Sequence, residues 1–341
     1  MSTLTEHPPA PDAAPGALRR VWSAVADSNG WIVLVLAGLV LLFSVLAPGQ
    51  FFTQFNLTSI AIGTSVILVI AVGQTFLIIS GSFDLSVGSV LIFASVVSSL
   101  AMNAIAPTSQ PLAIVVGLFV AVATGVAWGI LNGVVVSVLR IPALITTLAT
   151  MGIALGLAQV ITNGTNVSLQ VPLLTSSLGS GRLGPFPVIV LLAVAIAVVG
   201  IWLLSTTKFG RYSYAIGSNA EAARRVGIKV RRHEIAVFAL TSGLAGLAAF
   251  MSVAQYGTTA IGGHTTDSLE SIAGTILGGT SLFGGVGGIG GTIVGVLIPT
   301  VLKNGLIIVG LQPFWQGVAI GVVLIAAVFI DQLRRRRRNS M

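Results

Sequence analysis

The sequence predicts an all-α protein, a polytopic transmembrane helix bundle of about ten spans in which some spans are broken or re-entrant. Composition supports this fold class, because 55% of the 341 residues are hydrophobic and only 8% are charged. A soluble domain carries about 25% charged residues. Nine acids and 17 bases cannot cover the surface of a soluble globule of this size, which excludes a cytosolic fold.

Long apolar runs recur along the chain and give the individual spans. A membrane-spanning helix needs about 20 mostly apolar residues. The runs are continuous rather than alternating, which favours helices over the strands of a barrel. We expect spans at 31–47, 57–80, 86–106, 112–139, 143–162, 186–205, 235–255, 269–282, 289–311 and 314–333. The eighth is short and interrupted by glycine, so it is expected to be re-entrant or half a helix.

The two ends differ from the apolar middle. Residues 1–29 are proline-rich and have no apolar core, which predicts a disordered cytoplasmic tail. Arg19 and Arg20 precede an apolar run as in a signal peptide, but no small-x-small cleavage site follows, so an uncleaved first span is expected. Residues 30–333 form the predicted transmembrane domain, with a cytoplasmic loop at 208–234, and residues 334–341 form a basic cytoplasmic tail.

The placement of the bases predicts the orientation. With the amino terminus inside and ten alternating spans, 15 of the 17 lysines and arginines lie on the inner side, and only Arg182 and Lys303 do not. This satisfies the positive-inside rule. We therefore expect a protein of the bacterial inner membrane whose amino and carboxyl termini are both cytoplasmic. The net charge of +8 is therefore a topology signal rather than a sign of nucleic-acid binding. Arg334 to Arg338 are positioned to contact anionic membrane lipid.

Several kinds of chemistry have no support in the sequence. The chain has no cysteine and only three histidines, His7, His233 and His264, which are too scattered for a structural zinc site. The sequence has no nucleotide-binding P-loop, no H-E-x-x-H and no G-x-S-x-G. We therefore expect no catalytic residue, no metal and no cofactor, and a protein that is not an enzyme.

Glycines recur at four-residue spacing in three segments. They predict close helix packing at Gly125, Gly129 and Gly133, at Gly152 and Gly156, and at Gly287, Gly291 and Gly295. The alternative is a smooth face along which helices slide.

Three polar segments interrupt the apolar pattern. In the first, Gly81 to Ser89, Asp84 is expected to cap the third span by accepting from the backbone N–H of Ser86 or Val87. Its alternative role is contact with a substrate or an ion, since a carboxylate at membrane depth usually faces a cavity or a partner.

The second segment is the polar insertion at 208–234. Ser218 followed by Glu221 fits a capping box, which predicts a short helix at 219–226 that Gly227 ends. Such a helix presents a rigid surface to a partner, whereas the alternative is an ordinary solvated loop.

The third segment runs from Gly262 to Gly288. Asp267 and Glu270 are three residues apart and share a helix face before the break at 278–279. Broken helices near the midplane often mark a transport route. The alternatives are a solvated outer loop with a packing kink, or a pair of acids that couples transport to protons. Lys303 is expected to pair with Glu270 or to extend outward.

These segments resemble the inner-membrane permease subunits of ABC sugar importers of the ribose, xylose, arabinose and galactoside type. GSFDLSVGS resembles the family's G-x-x-DLSVGS, and 210–228, GRYSYAIGSNAEAARRVGI, resembles GRY-x-YA-x-GGN-x-EAAR-x-SGI. Three further segments line up with the family pattern in the same order along the chain: ITNGT at 161–165, LGGTSLFGGVGGIGGT at 277–292 and KNGL at 303–306. The chain departs from the family pattern at Arg225, Val226, Ser268, Glu270 and Lys303.

The resemblance implies a monosaccharide permease that works with a second copy of itself, an ATP-binding cassette ATPase subunit and a periplasmic sugar-binding protein. It makes the short cytoplasmic helix a coupling helix for the ATPase, with the contacts assigned to Gly210, Ser218, Asn219, Glu221, Ala222, Ala223, Arg224 and Gly227.

A path for a neutral sugar needs amides and hydroxyls rather than fixed charge. The candidates for its lining are Gln74, Thr75, Asp84, Asn132, Thr146, Thr147, Asp267, Glu270 and Asn304. The rival functions are a proton-coupled secondary transporter of a small polar solute, using Asp84, Asp267 or Glu270, and a passive channel.

Overall fold

The chain is described by a computed structural model that covers residues 30–312 and 314–339. The tail predicted at 1–29 and the last two residues lie outside the described residues. The described chain folds into helices, which are numbered here in chain order: α1 (Gly30–Leu46), α2 (Gln54–Ile79), α3 (Val87–Ile105), α4 (Gln110–Ser137), α5 (Ala143–Thr162), α6 (Val188–Thr206), α7 (Lys208–Ser218), α8 (Ala220–Arg225), α9 (Val230–Tyr256), α10 (Asp267–Leu277), α11 (Ile289–Ile308) and α12 (Phe314–Asn339).

The helices correspond in order to the ten predicted spans, and the all-α class is confirmed. Among the described residues, seven helices are long and apolar enough to cross a membrane, namely α2, α3, α4, α5, α6, α9 and α11. Shorter apolar segments lie in α1 and in the first part of α12. The eighth predicted span is α10, which has only 11 residues and is therefore half a helix, as its glycines indicated.

Three helix boundaries differ from those predicted by five residues or more. Helix α9 begins at Val230, five residues early, so that Arg231 and Arg232 lie in its first turn. Helix α10 ends at Leu277 because the chain turns at Gly279, whose φ of +90° is favourable only for glycine. Helix α12 continues through the arginine run to Asn339 instead of ending at 333, since arginine is a good helix former.

Helix α9 lies at the centre of the bundle, between α2, α3 and α4. The glycines of α4 allow its backbone to approach α9 closely, as the four-residue spacing predicted. A Cβ added at Gly129 would lie 2.7 Å from the Cα of Ala239, and Gly125 and Gly133 face the α9 backbone in the same way. Gly295 of α11 faces α10 similarly. These stripes act in helix packing.

The glycines of α5 behave differently. No atom of the described chain lies within 4 Å of a Cβ added at Gly152 or Gly156. The close packing expected at this pair is therefore not present within the protomer, and this face of α5 is open.

An outer ring of helices exposes apolar side chains. Phe119 of α4 is 72% exposed and Val160 of α5 is 75% exposed, whereas α2 is buried from Thr64 to its end. Such a distribution suits a bilayer, because lipid chains cover the outward-facing side chains while every backbone group is satisfied within its helix. The chain is thus a multi-pass membrane protein.

A longer connection joins α5 to α6. Helix α5 ends at Asn163, which has a left-handed conformation. The connection then forms a helical turn at Pro172–Leu174, a π-helical turn at Thr175–Gly179 and a two-stranded antiparallel hairpin, β1 (Arg182–Leu183) and β2 (Phe186–Pro187). A bridge between Ser168 and Thr258 ties this connection to the segment after α9.

Candidate functional site

The Asp84 carboxylate is fully buried at the break between α2 and α3. Its Oδ1 accepts from the Ser86 backbone N–H at 2.7 Å and from the Ser86 hydroxyl at 2.6 Å, so the predicted contact with Ser86 is present. The N-cap of α3 is Ser86 itself, and Asp84 holds that residue from two positions earlier. Its Oδ2 accepts from Asn132 of α4 and from Ser242 of α9, each at 3.3 Å. One carboxylate thereby fastens the start of α3 to two other helices.

The side chain of Gln74 completes this arrangement from α2. Its amide nitrogen donates to the backbone carbonyl of Asp84, and its Oε1 accepts from the Asp84 N–H at 3.3 Å. Gln74 and Asn132 are both fully buried. The set Gln74, Asp84, Ser86, Asn132 and Ser242, called here the Asp84 cluster, favours a role in holding the broken helix in place.

A second polar site is a cavity of about 270 Å³ between α2, α9, α11 and the start of α10. It is called here the polar cavity. Apolar residues of α2 and α11 form part of its wall. Its polar lining consists of Ser59, Gln255, Tyr256, His264, Asp267, Thr300, Lys303 and Asn304.

A buried ion pair lies at the wall of the polar cavity. The Lys303 ammonium is 2.9 and 3.2 Å from the two carboxylate oxygens of Glu270, which confirms the predicted pairing. Glu270 is fully buried and also accepts from the Thr266 hydroxyl at 2.8 Å, whereas the Lys303 side chain is 28% exposed. The lysine thus compensates the charge of an acid that water does not reach.

Beside this pair, His264 joins two segments. Its Nδ1 is 2.7 Å from Asp267 Oδ2, and its Nε2 is 2.7 Å from the Ser252 hydroxyl of α9. This order resembles a serine hydrolase triad, but Ser252 is buried and does not line the cavity, so a substrate cannot reach its hydroxyl. The contacts position the segment before α10. Within the described residues, no three histidine or acidic side chains come together as metal ligands.

A hydrogen bond between the first turns of α3 and α10 links the Asp84 cluster to the polar cavity. The backbone N–H of Gly88, in the first turn of α3, donates to the Ser268 hydroxyl, in the first turn of α10, at 2.9 Å. The break that Asp84 stabilises is therefore in direct contact with the helix that carries Asp267 and Glu270.

The structure divides the predicted path residues among separate places. Gln74, Asp84 and Asn132 lie in the Asp84 cluster, whereas Asp267, Glu270 and Asn304 lie at the polar cavity. The Thr75 hydroxyl contacts that of Thr292 at 2.8 Å, which joins α2 to α11. Thr146 and Thr147 are buried on α5, and their hydroxyls have no partner among the described residues.

Helices α7 and α8, called here the connector helices, form the predicted polar insertion. The short helix α8 is present, but Asn219 caps it instead of Ser218, because α7 continues through Ser218. Asn219 has the extended backbone of a cap, and its side chain accepts from the Ala222 N–H at 2.9 Å. Glu221 pairs with Arg225 at 2.5 Å and does not reach back to the cap. Gly227, with φ of +89°, ends α8 as predicted.

Most of the residues assigned to coupling are accessible to a partner. Gly210 packs against the α6 backbone, and Ala223 holds α8 against Ile216 and Val230. The exposed members are Ser218, Asn219, Glu221, Ala222, Arg224 and Gly227. The connector helices thus present exposed residues on a buried base.

The connector helices are fastened to the membrane part of the protein. The Tyr214 hydroxyl donates to the Gly287 carbonyl at 2.8 Å, and burial raises the pKa of this hydroxyl above its usual value, so it remains a donor. The Ser213 hydroxyl lies 2.9 Å from His233 Nε2 of α9. A movement of α7 therefore bears on α9 and on the loop that follows α10.

Sequence reasoning missed Gln255, Tyr256 and His264 as cavity residues. His264 carried a signal, its position three residues before Asp267. Gln255 and Tyr256 carried none, because they end an otherwise apolar helix whose partners are distant in sequence.

Comparison with known proteins gives the family. The family model described as "Branched-chain amino acid transport system / permease component" matches residues 56–328. The chain is 35% identical to the ribose import permease protein RbsC of Escherichia coli (strain K12) over 310 residues, which cover 89% of this chain and 93% of the relative.

Two further relatives match over similar lengths. The chain is 35% identical to the L-arabinose transport system permease protein AraH of Escherichia coli (strain K12), with 94% of each protein covered. It is 32% identical to the probable ABC transporter permease protein y4mJ of Sinorhizobium fredii, over 96% of this chain and 97% of that protein. No solved structure matches the chain.

These matches confirm the resemblance drawn from the motifs, and they confirm the prediction of a transport protein rather than an enzyme. The match covers nearly all the described helices, from the Asp84 cluster to α12. The chain therefore belongs to the family of ABC transport-system permease components that includes RbsC and AraH.

Proposed function

We propose that the chain is the membrane permease subunit of an ATP-binding cassette importer that carries a monosaccharide, a pentose or a hexose, across the inner membrane. The observation that carries this proposal is the similarity to two sugar permeases over about nine-tenths of the chain. The exposed connector helices support it, because they offer a rigid surface to a separate subunit.

The proposed assembly has three kinds of component. Two copies of this chain enclose the sugar path, an ATPase subunit docks on the connector helices, and a periplasmic sugar-binding protein delivers the cargo. Both termini are cytoplasmic in this proposal, and the arginines at 334–338 contact anionic lipid.

The contacts within the protomer suggest how force would travel. Closure of the ATPase would move α8, and with it α7. Tyr214 of α7 is bonded to Gly287 in the loop after α10, so the movement would reach α10 and its acids, Asp267 and Glu270. The residues proposed to line the path are Thr146, Thr147, Asp267, Glu270 and Asn304. Gln74, Asp84 and Asn132 hold the start of α3, and Thr75 joins α2 to α11.

A proton-coupled secondary transporter is the second candidate, since it would use the buried carboxylates of Asp84, Asp267 or Glu270. All three accept hydrogen bonds or pair with a cation in the folded chain. Because the three carboxylates already have these partners, structural roles are favoured for them over proton transfer. This supports the ATP-driven importer over the secondary transporter.

Uptake into proteoliposomes distinguishes these functions. The chain would be reconstituted with its ATPase and binding protein and supplied with radiolabelled D-ribose or L-arabinose. We expect uptake that requires ATP and the binding protein and that continues in the presence of a protonophore. Uptake that needs no ATP and stops with the protonophore would establish the secondary transporter instead.

A further inference from the structure

We propose that the polar cavity is a binding site, one in each protomer, for a single neutral polyhydroxyl molecule of monosaccharide size. This inference rests on the proposed function and deepens it, because it assigns the cargo a specific resting place within the permease chain.

The unsatisfied hydrogen-bonding groups of the cavity define the ligand. The side chains of Gln255 and Asn304 line the cavity, and Oε1 of Gln255 and Oδ1 of Asn304 are buried in its wall with no partner among the described residues. Both atoms are acceptors, and a buried acceptor without a donor is costly. A ligand that brings hydroxyl donors satisfies both atoms, whereas a carboxylate or a phosphate, which only accepts, does not.

The charges of the cavity argue against an ionic ligand. The Lys303 ammonium is compensated by Glu270, and Asp267 is hydrogen-bonded to His264. The wall therefore offers no uncompensated charge, and an anion would also lie beside two carboxylates. The ammonium has three donors and directs two of them to Glu270, so one remains for a hydroxyl oxygen.

Size and shape agree with a single sugar ring. The volume of about 270 Å³ is just below the usual range for small-molecule sites, which suits one small ligand. Ile60, Val66 and Ile67 form an apolar wall for the C–H face of a sugar. Tyr256 and Ile307 are each 56% exposed at the rim, so a ligand can enter.

The cavity lies beside the helix break at Asp84, because α10, which begins in the cavity wall, contacts Gly88 of α3 through Ser268. Its wall contains Asp267, the first residue of α10, and its floor is held by the Lys303–Glu270 pair between α10 and α11. Lys303 departs from the family pattern, and the geometry gives it a positioning role, since it holds Glu270 and presents its remaining donor to the cavity.

Cysteine protection tests the site directly, because the chain contains no cysteine. Single variants Asn304→Cys and Gln255→Cys would be labelled with a water-soluble thiol reagent in the reconstituted transporter. We expect labelling to be about threefold slower when the transported sugar, D-ribose or L-arabinose, is present at twice its Kd. D-Gluconate should not slow it, nor should sugar protect Gln170→Cys, which is exposed in the connection between α5 and α6. The control for the leucine variants below is Gln159, on the exposed face of α5.

Equal labelling with and without sugar at both positions would overturn the proposal, and so would equal protection by D-gluconate. Uptake provides a second measurement. Asn304→Leu and Gln255→Leu should each lower the uptake rate about tenfold, with ATPase stimulation by the loaded binding protein retained, whereas Gln159→Leu should leave both unchanged. Wild-type uptake in both leucine variants would also refute the site. Absence of ATP-dependent uptake in the wild type would instead refute the proposed function.

Discussion

At the residue scale, buried charge explains much of how this bundle is held together. Removing a carboxylate from water is costly, and the cost is offset only where donors surround it. Asp84 receives four hydrogen bonds from Ser86, Asn132 and Ser242. Ser242 lies 158 residues away in the sequence. The carboxylate therefore joins parts of the chain that no local interaction could bring together.

Substitution of Asp84 tests this role. Asp84→Ala leaves several buried donors unpaired, and we expect a loss of at least about 3 kcal/mol in the free energy of unfolding. Asp84→Asn keeps one acceptor oxygen and should lose less. Thermal unfolding of the purified protein in detergent measures both, and the exposed Glu221→Gln is the control, expected within about 0.5 kcal/mol of wild type. An alanine variant as stable as this control would contradict the structural role.

The sequence identified some of these residues and not others. Asp84 and the Lys303–Glu270 pair were predictable, because a charge inside an apolar run demands a partner. Gln255 was not, because an isolated polar residue at a helix end is usually solvated, and His264 had only its spacing from Asp267 as a signal. Only the folded chain places them on one cavity.

At the scale of the helix, local signals fixed α8 and its end but placed its cap one residue early. Ser218 and Asn219 are both good capping residues, and the sequence pattern alone favoured Ser218. Asn219 is the cap of α8 because Ser218 is the last residue of α7, the helix that Thr207 caps.

We expect the connector helices to be sensitive to changes that leave the membrane part intact. Gly227→Val puts a β-branched residue at φ of +89°, and Glu221→Lys reverses an exposed charge on α8. Each should abolish ATP-driven uptake and weaken co-purification with the ATPase, while membrane insertion is unchanged. Arg182→Glu, an exposed charge reversal in β1, is the control and should transport normally. Full uptake by either connector variant would count against coupling through α8.

The close contact between α4 and α9 depends on the glycines of α4, which have no side chain to keep the helices apart. Gly129→Ala would force its Cβ to within 2.7 Å of the Ala239 Cα, so the helices must separate, at a cost of about 1–3 kcal/mol. Gly152→Ala meets no atom within 4 Å and should be neutral or stabilising by up to about 1 kcal/mol. Detergent melting curves of the two variants provide the comparison. Equal melting temperatures would show that the stripe on α4 does not determine packing.

For the whole molecule, the distribution of bases predicts the orientation in the membrane. The connector helices and the arginines at 334–338 lie on one side in the ten-span arrangement, and β1 lies on the other.

Single cysteines measure the orientation, since the wild-type chain has none. Val226→Cys and Leu183→Cys place thiols at side chains that are 78% and 65% exposed. In intact spheroplasts, a membrane-impermeant maleimide should label the β1 position at once. It should label the α8 position only after permeabilisation. The reverse pattern would invert the topology and remove the docking surface from the cytoplasm.

The sequence by itself determined the fold class, the order of the spans and the short connector helix, because each follows from local hydropathy, charge and capping. The tertiary structure decided what those signals could not: that Gln74 and Asn132 both bond to Asp84, while Asp267 and Asn304 line a cavity. Periodicity fixes which face of a helix is polar. Only packing against distant helices decides whether that face meets a partner or encloses a space.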